Sequence, residues 1–97
     1  MREDSMYVGM DVHQKTIDVV VAEEGRSGKV WHVGTIGGDL RSVDRLVDRL
    51  LEDGRPLKFV YEAGPCGFVL YRHLRARGQQ CAVVAPALVP KRASDRV

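Results

Sequence analysis

The 97-residue sequence holds no apolar run near the roughly 18 residues that a membrane-spanning helix needs. Its polar start, Met1-Arg2-Glu3-Asp4-Ser5, is not followed by a signal-peptide-like apolar stretch. The expected setting is therefore cytoplasmic, with no membrane partner. Cysteine is scarce: Cys66 and Cys81 are too few for a disulfide framework and are not paired at a metal-binding spacing. Both read as reduced thiols. Internal repeats, low-complexity segments and linkers are absent too, so residues 1–97 form one small domain at most.

What the sequence does have is an uneven charge distribution beneath a net charge of +2. Residues 1–62 carry nine Lys/Arg against twelve Asp/Glu, a balance of −3, whereas residues 63–97 carry six against Asp95 alone, a balance of +5. An acidic half beside a basic half suits a protein that holds cations and meets a polyanion. It equally suits a solvated helix face with a basic tail, so charge alone does not decide the matter.

Hydrophobic periodicity gives the element order. Met6 to Val12, Thr16 to Ala22 and Lys29 to Ile36 read as three strands, separated by His13-Gln14-Lys15 and by the polar stretch 23–28. Asp39 caps a predicted helix whose apolar stripe is Leu40, Val43, Leu46, Val47, Leu50 and Leu51. Gly54 and Pro56 end it. Leu57 to Tyr61 is a fourth strand, Cys66 to Arg77 a second helix, and Cys81 to Ala85 a fifth strand. The order β-β-β-α-β-α-β predicts an α/β fold. Three strands on short loops form an antiparallel meander, and strands separated by helices run parallel. The expected result is a mixed sheet of the ribonuclease-H-like kind.

Asp11 falls at the end of the first predicted strand and Glu62 at the end of the fourth. Neighbouring strands lie about 4.8 Å apart, so two carboxylates on one rim can share a cation. Magnesium favours such hard anionic oxygens, and a metal offsets the cost of placing two acids beside an apolar sheet.

The residues around these acids carry a resemblance. Tyr7-Val8-Gly9-Met10-Asp11-Val12-His13-Gln14-Lys15 with Ile17-Asp18-Val19, then 59–68 around Tyr61-Glu62-Ala63-Gly64-Pro65, then 84–92, resemble the DEDD transposases. That group is the insertion-sequence one-ten family, with the Piv-type DNA invertases. The resemblance implies a RuvC-like, ribonuclease-H-like fold whose four acids bind Mg2+ (or Mn2+) for DNA strand cleavage and exchange. Asp11 matches the first acid and Glu62 the second. The family's last two aspartates follow in a basic segment beyond Val97, and Asp95 does not take that role. A carboxy-terminal domain with a serine used in strand exchange also lies beyond it. DNA is the implied partner, joined by a structured guide RNA; a homo-oligomer is a further expectation. With two of four ligands, the 97-residue chain is expected to fold without cutting DNA by itself.

Other residues carry weaker signals. His13 and Lys15 follow Asp11 closely and can meet a phosphate, although turns are usually polar anyway. Lys91, Arg92 and Arg96 in the tail, and Arg72, Arg75 and Arg77 on the second helix, are candidate phosphate contacts. Asp18 alternates with Ile17 and Val19 and is expected to face water. Cys66 reads as a packing residue, and Trp31 as a sheet residue. Two rival functions remain: an actin- or sugar-kinase-like nucleotide-binding fold, and a non-catalytic nucleic-acid-binding or dimerisation module. The first normally places glycine and threonine where this chain has Val12-His13-Gln14-Lys15.

Overall fold

Alternation of apolar and polar residues along β1 (Met6–Val12) sends Met6, Val8 and Met10 into a core and leaves Tyr7, Gly9 and Asp11 on the opposite face. The structure, a computed structural model, describes residues 4–25, 28–64 and 67–85. After β1 come β2 (Thr16–Glu23), β3 (Val30–Gly37), α1 (Leu40–Leu51), β4 (Leu57–Glu62), α2 (Val69–Ala76) and β5 (Gln80–Val84). The five strands form one mixed sheet in the order β3-β2-β1-β4-β5. β1 pairs antiparallel with β2 and parallel with β4; β2–β3 is antiparallel and β4–β5 parallel. β1 is thus the central strand, where the meander meets the parallel half.

Both helices pack on the same face of the sheet. Val43, Leu46 and Val47 of α1 and Leu70 and Leu74 of α2 share one core cluster with Val8, Val19, Val21, Phe59 and Tyr61. Asp39 caps α1 as its sequence position predicts, accepting a hydrogen bond from the Ser42 backbone N–H at 3.0 Å. α2 starts later than the sequence pattern suggests. Gly67 adopts a left-handed φ of 54°, which the helix cannot continue through, so the first helical residue is Val69.

Polar clamps close the ends of the layer. Arg77 at the C-cap of α2 donates to the Asp44 and Asp48 carboxylates of α1, and His73 lies 2.7 Å from Asp44. Arg77 is therefore committed to holding the helices together and not to a phosphate. At the end of the sheet away from Asp11, Arg55 is buried and donates to Glu23 and Asp53, joining β2 to the entry of β4. Trp31 packs against the core, as a sheet residue should.

Phe59 sits at the centre of this packing, 1% exposed. Phe59→Ala should cost about 3–5 kcal/mol, a large share of the roughly 5–15 kcal/mol typical of a native domain. Urea unfolding followed by circular dichroism measures it. A loss under about 1 kcal/mol would contradict the central position given to this ring.

Candidate metal centre

Strand pairing brings the two predicted acids to one rim. The parallel register of β1 and β4 runs from Met6 opposite Leu57 to Met10 opposite Tyr61. Asp11 and Glu62 each follow the last of these rungs, at the same end of neighbouring strands. Both line a shallow, open cleft of about 500 Å³ on the face of the sheet opposite the helices. Val20, Val60 and Val84 supply its apolar part, and Gly9 lies among them with no side chain. A Cβ at Gly9 would meet only the Val20 carbonyl oxygen at 3.8 Å, an ordinary contact. The fold itself does not demand glycine there. A glycine within a strand commonly marks close approach by a ligand or another backbone.

Asp18 keeps the solvent exposure that its alternation with Ile17 and Val19 predicts, and the fold also brings it beside Asp11. In the antiparallel register of β1 and β2, Asp18 stands directly opposite Asp11, and it lines the same cleft. Like charges directly opposed across two strands destabilise a sheet. His13 in the intervening turn answers both: its Nε2 lies 3.3 Å from Asp11 Oδ2 and 3.5 Å from Asp18 Oδ2. The three donor atoms fall within 4.8 Å of one another. The sequence carried no local signal for this, because the register that opposes Asp18 to Asp11 differs by one residue from the one a three-residue turn at 13–15 implies.

Local structure holds these groups in place. The Thr35 hydroxyl of β3 donates to Asp18 Oδ1, which leaves Oδ2 toward His13. That hydrogen bond holds the Asp18 carboxyl below the ordinary aspartate range, and the His13 imidazole lowers it further. The His13 backbone N–H donates to the Thr16 carbonyl at 2.8 Å, closing the turn. Gly38 donates to the Lys15 carbonyl at 2.9 Å and packs so close that a Cβ would lie 3.1 Å from that backbone. On the other strand, the Tyr61 hydroxyl donates to the Gly67 carbonyl and accepts from the Tyr71 backbone N–H. This ties the start of α2 back to β4 beside Glu62.

Of the remaining candidates, Lys15 is exposed in the turn beside the cleft. Lys91, Arg92 and Arg96, like Cys66, lie outside the described residues. Burial pushes the Cys81 thiol up to about 11, so it stays protonated at neutral pH and offers no nucleophile. Among the described residues no helix is long and apolar enough to cross a membrane.

No protein-family model matches the chain. It is 38% identical over 91 residues to the Sinorhizobium fredii protein y4qE, named as a transposase, an alignment covering 94% of this chain and 23% of that protein. It is 29% identical over 92 residues to the transposase for insertion sequence element IS1533 of Leptospira borgpetersenii, covering 95% and 26%. Both relatives are transposases by name. The chain spans about a quarter of the length of these relatives. Among solved structures it is similar to an Aquifex aeolicus member of the Ppx/GppA family, at 14% identity with a TM-score of 0.42, covering 86% of this chain and 36% of that one. A likeness that distant carries no argument about fold or function.

Thr35→Val removes the donor that depresses Asp18. Because the folded-state value is lowered, the stability this carboxylate contributes is present above its unfolded value and is lost as pH falls through the folded one. Carbon-detected titration by NMR should show the Asp18 midpoint moving up toward the ordinary 3.8 in the variant, with the acid limb of stability shallower. An unchanged midpoint would contradict the role given to Thr35.

Proposed function

We propose that this chain is the amino-terminal part of the ribonuclease-H-like catalytic domain of an insertion-sequence transposase of the DEDD kind, acting on DNA with Mg2+ or Mn2+. One observation carries the reading. In a chain similar to transposases over most of its length, Asp11 and Glu62 end adjacent parallel strands and face one cleft.

The donor set fits a hard divalent cation: exposed carboxylates on a single rim, with open space before them for water and phosphate oxygens. Asp11 and Glu62 would hold the ion. When bound, it supplies Lewis-acid polarisation of a phosphoryl oxygen and activation of the attacking hydroxyl. The protein's own contribution is placement. The central sheet fixes the two carboxylates, Gly9 leaves room for close approach, and Lys15 at the mouth supplies a positive charge for a DNA phosphate. Two acids hold a cation more loosely than four, so in this reading the 97 residues alone fold without cutting, and the remaining ligands come from elsewhere in the complete transposase.

Two assays test this. The purified chain with branched DNA and Mg2+ should give no nicking; robust nicking would sink the inactivity claim. Exchanging the matching 91-residue segment of the Sinorhizobium fredii relative for this one tests the site itself. Transposition by the hybrid should fall about 100-fold or more with Asp11→Asn or Glu62→Gln, roughly 2.7 kcal/mol of barrier. Frequencies within a few-fold of the unsubstituted hybrid would contradict the assignment.

A further inference from the structure

We infer that His13 and Asp18 join Asp11 in a three-donor cation site, and that this imidazole makes the site favour a first-row transition cation of the Mn2+ class over Mg2+. The inference rests on the reading of the cleft as a metal centre, and it adds two ligands to the pair Asp11 and Glu62.

The geometry is that of ligands around an ion. Donors that share a cation at about 2.1 Å stand about 3.0 Å apart at octahedral angles and about 3.4 Å at tetrahedral ones. His13 Nε2 stands 3.3 Å from Asp11 Oδ2 and 3.5 Å from Asp18 Oδ2. All three donor atoms lie within 4.8 Å of one another, because the hairpin register sets Asp11 opposite Asp18 and the turn returns His13 over both; a shared ion would draw the two carboxylates closer together.

Energetics point the same way. Asp11 and Asp18 are opposed like charges on the rim of an otherwise apolar strand pair, and Glu62 lines the same cleft. A single His13 side chain offsets at most one unit of that charge, whereas a divalent ion offsets two and satisfies the carboxylate oxygens together. Asp18 is also oriented from behind by the Thr35 hydroxyl, the kind of outer hydrogen bond that aims ligating carboxylates. All three side chains are substantially exposed, at 72% for Asp11, 52% for His13 and 40% for Asp18, so an ion and its waters can reach them. Nitrogen donors raise affinity for transition cations relative to magnesium, which prefers oxygen alone.

The test uses Mn2+ as the probe and the 97-residue chain without DNA. Free Mn2+ is counted by its electron paramagnetic resonance signal, and Mg2+ affinity is read from competition. Pulsed spectra should show nitrogen-14 coupling from a bound imidazole in the unmodified protein and none in His13→Ala. Mn2+ affinity should fall about tenfold or more in His13→Ala and in Asp18→Asn, while Mg2+ affinity falls less than about threefold in His13→Ala. Glu62→Gln separates the two claims. Loss of Mn2+ in Glu62→Gln, with His13→Ala and Asp18→Asn unchanged, overturns this inference and leaves the two-carboxylate reading standing. The reverse pattern supports the inference and overturns Glu62 as a ligand. Equal affinity in all variants, without nitrogen coupling, overturns both and leaves His13 as an ion-pair partner only. Circular dichroism checks that each exposed-site variant keeps its fold.

Discussion

Carboxylates on adjacent strands repel one another, and a sheet that collects Asp11, Asp18 and Glu62 around one cleft gives up stability unless positive charge comes between them. That crowding organises the acidic end of the sheet. His13 sits between two of the acids, Thr35 turns one of them, and the turn that carries His13 is pinned by Gly38. Arg55 and its partners stand at the far end of the sheet, where they close the core but cannot neutralise the rim. The acids are therefore answered locally, by a side chain from the hairpin itself and, in the proposed function, by a cation.

The division between the two faces of the sheet makes this arrangement affordable in packing terms. Helices α1 and α2 bury the inward residues of β1, β2 and β4, with those of β3 and β5 partly buried against the same cluster, so the fold draws its hydrophobic stabilisation from one side. The other face is free to carry polar groups and a glycine, and it is there that the cleft opens. Because β1 is central, its outward residues are approached from an antiparallel neighbour and a parallel neighbour at once. Asp18 comes from the first and Glu62 from the second. A rim built on an edge strand would have had only one such neighbour.

Much of this was legible in the sequence. The β-branched runs, the stripe of α1 and the cap at Asp39 gave the mixed sheet and its helices, since each rests on local periodicity and capping chemistry. Asp11 and Glu62 were legible because strand ends are marked by the turns that follow them. Asp18 was not. A three-residue turn at 13–15 would have paired Asp18 with Met10, but the observed register opposes it to Asp11. A shift of one residue carries a side chain to the other face or another partner, and local sequence does not fix that shift. The late start of α2 was hidden for a similar reason, because the left-handed Gly67 is set by a hydrogen bond from Tyr61 on another element.

The claim that the rim of β1 and β4 grips a cation is tested most directly by locating one. In an amide NMR spectrum of the 97-residue chain titrated with Mn2+, paramagnetic broadening falls off steeply with distance from the ion. The account predicts that resonances of Asp11, Asp18 and Glu62 vanish first, while those around Arg55 at the opposite end stay sharp. Broadening centred anywhere else, or spread evenly over the exposed acids of α1, would contradict it.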